Sequence, residues 1–311
     1  MVFTTPDSTG GRTARSMTTG LTSQRSNTAG RLIEATLIGA LGLTMLVLLV
    51  LVVDLIRRSW PVWRDRGVGF LTDGLNASSA DQAGVSSAIT GTIVLCLIVA
   101  VVAFPLGIAC AVYLEEYAGR SRFAMLTRVN VRNLAGVPSI VYGLLGLAVF
   151  VNVMGVGRNV FAGGLALSAL VLPIVVITAS EALRAVPRSI REGAFGVGAT
   201  PWETIRSHVL PAAAPGILTG TVIALARAAG EAAPILLVGA ATGLLATGDA
   251  GIIDRLSGPF TGLPAAIFSY ARQTGDDFQA VTAAASIVLL VLVLAMNSFA
   301  IWLRNRYERK W

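Results

Sequence analysis

The chain has 311 residues, 54% of them hydrophobic and only 13% charged, with a mean hydropathy of +0.73. Soluble domains carry about 25% charged residues, so this composition excludes an ordinary soluble protein and makes lipid the main solvent. The net charge of +7 does not signal nucleic acid: basic residues are scattered between apolar runs, and only 7% of residues are aromatic. Basic loops between membrane spans account for the charge.

Cysteine and lysine usage removes further classes. Cys96 and Cys110 are the two cysteines, and both fall in one apolar run. In a helix their separation is about 21 Å, whereas a disulfide needs Cα atoms within about 7 Å. Neither lies near His208, the single histidine, so no metal site or Cys/His catalytic pair is expected. Lys310 is the only lysine. A phosphate-binding loop of the G-x-x-x-x-G-K-[ST] kind needs a lysine to reach nucleotide phosphates. No cofactor is therefore expected on this chain, and any ATP and magnesium belong to another polypeptide.

In chain order, residues 1–31 are rich in Ser, Thr, Gly and Arg and are expected to form a disordered cytoplasmic tail. A cleaved signal peptide is not expected, since the tail is long and the next apolar run exceeds an h-region. A spanning helix needs about 20 apolar residues, and six segments qualify: about 32–56, 86–114, 134–154, 163–180, 212–240 and 280–303. The reading is an all-α polytopic membrane protein. Its first span is 32–56 and its main transmembrane domain 86–303. A loop at 181–211 joins the fourth and fifth spans, and a basic cytoplasmic tail follows at 304–311. With the N-terminus inside, sixteen basic residues fall in inner regions and seven in outer ones. That bias puts both termini in the cytoplasm. Arg57, Arg58, Arg64 and Arg66, just after the first span, run against it.

The loop has a readable local grammar. Pro187 and Ser189 precede a short helical stretch, which Gly198 is placed to end. Thr200 then caps a second short helix, with Pro201 at its first position, Trp202 next and Glu203 completing a capping box. Pro211 ends it at the membrane. The spacing of Glu192, Gly193 and Ala194, then Gly198, then Leu210 and Pro211 resembles the "EAA" loop of ABC importer permeases. Two positions depart from that pattern, Gly193 in the first triplet and His208 where isoleucine is usual. The resemblance implies that this loop inserts a coupling helix into a cytosolic ATPase.

The fifth span carries the chemistry. Arg227 lies about 22 Å beyond Ala212 along a helix axis, and Glu231, four residues on, is expected on the same helix face. A charge near the bilayer centre costs at least about 2.5–3.5 kcal/mol. It persists by pairing, by facing a watery path, or both. A buried pair that merely tolerates itself is one reading. The other is an anion site, since a guanidinium donates paired bonds to tetrahedral oxyanions and stays charged. No paired carboxylates, Ser/His pair or metal ligands occur within the helices, so no catalytic residues and no metal are expected.

The run from Ala226 to Ile235 is similar to the corresponding helix of phosphate-specific importer permeases of the PstA type. So are Leu134–Gly146 and the Glu181, Arg184, Pro187, Glu192 pattern before the loop. The resemblance covers about 86–300. It implies a type I ABC importer permease fold in the bacterial cell membrane and a place in the pathway for inorganic phosphate, with Arg227, Glu231 and Arg184 on that pathway. The implied partners are a homologous second permease (PstC type), a cytosolic ATPase dimer (PstB type) and an extracytoplasmic phosphate-binding protein (PstS type). Membrane lipid surrounds it, and no nucleic acid is bound. Alternatives are a permease for another oxyanion or small nutrient, and a membrane sensor or scaffold without transport.

Overall fold

The computed structural model describes residues 28–119, 121–240 and 258–307. Most of the N-terminal tail, the end of the basic C-terminal tail, and Arg120 and Arg255 lie outside them. Among the described residues there are helices and turns and no strand. Five helices among these described residues are long and apolar enough to cross a membrane, or six if one bent pair counts as a span. The chain divides into two units, Met1–Asp54 and Leu55–Trp311.

Helix α1 (Thr28–Asp65) begins in the first unit and ends in the second. Its part in the first unit exposes its apolar side chains, among them Leu32, Ile38 and Leu49. No packed core covers them, and hydrocarbon is the solvent such a surface suits.

The second unit takes in the end of α1, where Val62 is buried, then α2 (Gly69–Thr72) and α3 (Ser86–Val112), which continues as a π-helical turn, Tyr113–Tyr117. Arg66 accounts for one of the arginines that oppose the charge rule. Its guanidinium pairs with Asp73 at 2.7 Å, donates to the Ala80 and Ala83 carbonyls, and lies over the Phe70 ring. It is a staple of the 66–85 turn region. Arg58 donates to Gln279 at 3.2 Å.

Two of the expected spans are corrected. The third, read as 134–154, is two helices: α4 (Arg122–Ala135) and α5 (Ser139–Leu145), the latter running on as a π-helix over Gly146–Val153. They meet at 106°. Pro138 is the cause, since it lacks an N–H and drives the preceding residue out of the helical region. The Tyr142 hydroxyl closes the corner by donating to the Leu134 carbonyl at 2.8 Å. The fifth span, read as 212–240, is also two helices, α9 (Leu210–Gly230) and α10 (Ala233–Val238). The fourth and sixth are longer than expected: α6 (Val160–Ala185) and α12 (Asp276–Tyr307).

Helix α6 is the centre of the bundle. Small residues let its neighbours approach closely, which is how membrane helices pack without a hydrophobic drive between them. Gly164 lies on Ile98 and Gly107 on Val175, so α3 runs parallel to α6. Gly216 lies on Ala182 and Gly220 on Thr178, so α9 runs antiparallel. Helix α11 (Leu263–Ala271), which sequence reading left inside a loop, packs at the Ser86 end. The buried Tyr270 hydroxyl donates there to the Gly84 carbonyl at 2.7 Å, and the Leu263 N–H to Thr92 Oγ1 at 2.8 Å.

Candidate functional site

The broken helix is the first part of the site. Arg227 lies in the last turn of α9, where unpaired carbonyls favour a cation. Glu231 does not share a helical face with it, as sequence reading expected. It is the C-cap, with extended backbone (φ −85°, ψ 117°). Pro234 is the reason, placed in the first turn of α10 where its missing N–H is harmless. The break still leaves the pair in reach, with Arg227 Nε 3.4 Å from Glu231 Oε1. At that distance the link is loose. The Arg227 side chain is 45% exposed and that of Glu231 22%. Carrying the α6–α9 register seven residues past Gly220 sets Arg227 level with Val171, near the middle of α6. The guanidinium is thus deep in the span and open on the face that this chain leaves uncovered. A small cavity bounded by Thr92, Cys96, Ala228 and Glu231 sits behind the break.

The loop is the second part. Helix α7 (Arg188–Gly196) is followed by Gly198 at φ +87°, a left-handed conformation that a side chain would strain. Helix α8 (Pro201–Thr204) carries the full capping box: Thr200 Oγ1 accepts from the Glu203 N–H at 3.3 Å, and Glu203 Oε2 accepts from the Thr200 N–H at 2.8 Å. A π-helical turn, Ile205–Val209, leads into α9. Ala194, Ile205 and Val209 are buried and anchor the loop, while His208 points out. Leu210 is partly buried, and Glu192, Gly193 and Pro211 are exposed. Phe195, Val197 and Trp202 present apolar side chains to the outside, Trp202 at 54% exposure. Thr200→Ala is expected to lower stability by about 1 kcal/mol, with Thr200→Ser retaining it. Thermal unfolding of the purified protein checks this.

Arg184 is not brought to Arg227. It lies at the far end of α6, where Nε and Nη2 donate to Glu115 at 2.7 and 2.8 Å. Thirteen residues separate it from the level of Val171, about 20 Å of helix. It shares a cavity with Glu115, Arg128, Arg132 and Glu181. The acidic partner, Glu115, was not singled out from the sequence. It follows a long apolar run as half of an acidic doublet, and that doublet was the available signal.

A guanidinium held mid-span beside a helix break, open on one side, is how a membrane transport protein is built. The sequence model described as "Binding-protein-dependent transport system inner membrane component" matches residues 103–310, and the chain belongs to that family. It is a multi-pass membrane transport subunit and not itself an enzyme, and the family implies an ATPase and a substrate-binding protein as partners. A relative from Mycobacterium tuberculosis, "Phosphate transport system permease protein PstA 1", is 36% identical over 76% of this chain and 76% of its own length. "Phosphate transport system permease protein PstA" from Xylella fastidiosa is 34% identical over 72% of this chain and 77% of its own length. Among solved structures, a bacterial alginate ABC transporter aligns with a TM-score of 0.60 at 15% identity, covering 89% of this chain and 95% of that one. The MetNI methionine ABC transporter aligns with a TM-score of 0.55 at 18% identity, covering 73% and 95%. These two likenesses are of fold: the chain has the type I ABC importer permease architecture.

Proposed function

We propose that this chain forms half of the membrane pathway by which a bacterial cell takes up inorganic phosphate, with both termini in the cytoplasm. The observation that carries the reading is Arg227: mid-span, 45% exposed, and tied to Glu231 only at 3.4 Å. A bidentate guanidinium suits a tetrahedral oxyanion and offsets the desolvation of its charge. Glu231 holds the guanidinium when no anion is present and repels poorly matched ones. The relatives named as phosphate permeases support the choice of anion.

The partners under this reading are a PstC-type permease covering the open face of Arg227, a PstB-type ATPase dimer and a PstS-type phosphate-binding protein. ATP and magnesium sit on the ATPase. Closure of that dimer pushes the loop through Thr200–Arg206, and the helices rock to open the path on alternate sides. Glu192, Gly193, Ala194, Gly198, Pro201 and Trp202, with the Leu210–Pro211 exit, form the contact. The test is reconstitution of the four-component transporter in vesicles with labelled phosphate. ATP-driven accumulation is expected; accumulation of another solute but not phosphate would overturn the reading. Trp202→Ala is expected to weaken ATPase co-purification about tenfold, as loss of an exposed aromatic anchor does, while leaving the fold intact.

A further inference from the structure

The π-helical turn that ends α3 places two carboxylates side by side, Glu115 and Glu116. Such turns are uncommon and cluster at functional positions. Each carboxylate holds an arginine from a different segment. Arg184, at the end of α6, grips both oxygens of Glu115. Arg191, in the first helix of the loop, grips both oxygens of Glu116 at 2.7 and 3.2 Å. Arg191 also donates to the Val186 and Leu183 carbonyls at 2.8 and 2.9 Å, which fixes its own direction. Arg128 of α4 approaches Glu115 at 3.6 Å and donates to the Leu114 carbonyl. Both glutamate side chains are only 10% exposed.

One turn of α3 is therefore bonded to α4, to α6 and to the loop. The apolar contacts beneath, such as Val186, Ile205 and Val209 against Ala111 and Leu183, hold these segments together but are non-directional. Paired, charge-assisted bonds add direction as well as strength. We propose that Glu115 and Glu116 are positioning residues for transport: they make α3, α6 and the loop move as one body. A push on the loop then reaches the broken helix about 20 Å away along α6 instead of being absorbed by sliding. This rests on the reading of the loop as the ATPase contact.

The test uses the complete transporter, with Cys96 and Cys110 replaced by serine and spin labels at the exposed positions Val197 on the loop and Leu97 on α3. With the pairs intact, ATP is expected to leave the label distance unchanged. In Glu116→Gln, ATP is expected to shift or broaden it. An equal response in both proteins would overturn the proposal. In vesicles, Glu115→Gln/Glu116→Gln and Arg184→Gln are each expected to lower uptake per ATP hydrolysed about tenfold, with Arg184→Lys in between. If the double variant fails to assemble, Arg184→Gln carries the comparison, since Glu115 then keeps Arg128. Uptake and hydrolysis falling in constant proportion would contradict the link. The label distances need ATP but no phosphate, so they stand apart from the choice of substrate. A wrong loop assignment shows separately, as ATPase binding indifferent to Trp202→Ala.

Discussion

Replacing Arg227 by glutamine is expected to cut phosphate uptake about 100-fold while leaving the assembled complex intact. The size follows from the charge. Holding an anion mid-span without a counter-charge costs at least about 2.5–3.5 kcal/mol, and each 1.4 kcal/mol is about a factor of ten. Assembly is expected to be spared because, among the described residues, Arg227 is tied to Glu231 alone, and loosely, at 3.4 Å. Arg227→Lys keeps the charge but loses the planar fork, so an intermediate rate is expected. Labelled phosphate uptake, normalised to complex recovered from the membrane, checks both. Removal of Glu231 alone is expected to do less, because the carboxylate serves the site chiefly when it is empty.

Gly91→Val is expected to have the largest effect on the fold. A Cβ at Gly91 would lie 2.1 Å from the Thr261 carbonyl oxygen. Both partners are backbone, so no side chain can turn aside. The neighbouring Thr92 receives the Leu263 N–H at 2.8 Å and donates to the Ala88 carbonyl at 2.9 Å. Wedging the segment off α3 adds an overpacking cost of about 1–3 kcal/mol to about 1–3 kcal/mol for a buried N–H left unpaired. The sum is a large share of a total stability of about 5–15 kcal/mol. Low recovery from the membrane, or a much earlier thermal transition in detergent, is expected. Thr92→Val loses only the hydrogen bonds and should fall midway. A Gly91→Val protein that melts with the unsubstituted one would mean that this close approach is absent.

The long apolar runs made most of the spans legible, because composition alone commits about 20 apolar residues to hydrocarbon. Much of the loop was legible: Thr200, Pro201 and Glu203 specify a cap chemically, and Gly198 has the positive φ that its position demanded. Pro211, expected to end the second short helix, instead sits in the first turn of α9, where its missing N–H is harmless. The breaks were not. Pro138 and Pro234 fall inside the expected spans 134–154 and 212–240, and prolines do occur inside membrane helices, as Pro105, Pro173 and Pro215 do here. What separates the two groups is tertiary. At the first break the Tyr142 hydroxyl and the Val137 N–H both donate to the Leu134 carbonyl, and the second leaves Glu231 extended beside Arg227. The Glu115 and Glu116 pairs were invisible because their arginines lie 69 and 75 residues away. Arg184 was placed on the path by resemblance; what the sequence did not show is that it donates to Glu115 at the end of α3.

Arg227 acts on a passing anion only if its open face borders water, and Ile223 reports on that face. It lies one turn earlier on α9 and is 57% exposed. The measurement is labelling of Ile223→Cys, in a background lacking Cys96 and Cys110, by a charged, membrane-impermeant thiol reagent in the complete transporter. The account predicts modification that saturating phosphate slows. Modification only by a lipid-soluble reagent, at a rate indifferent to phosphate, would contradict it.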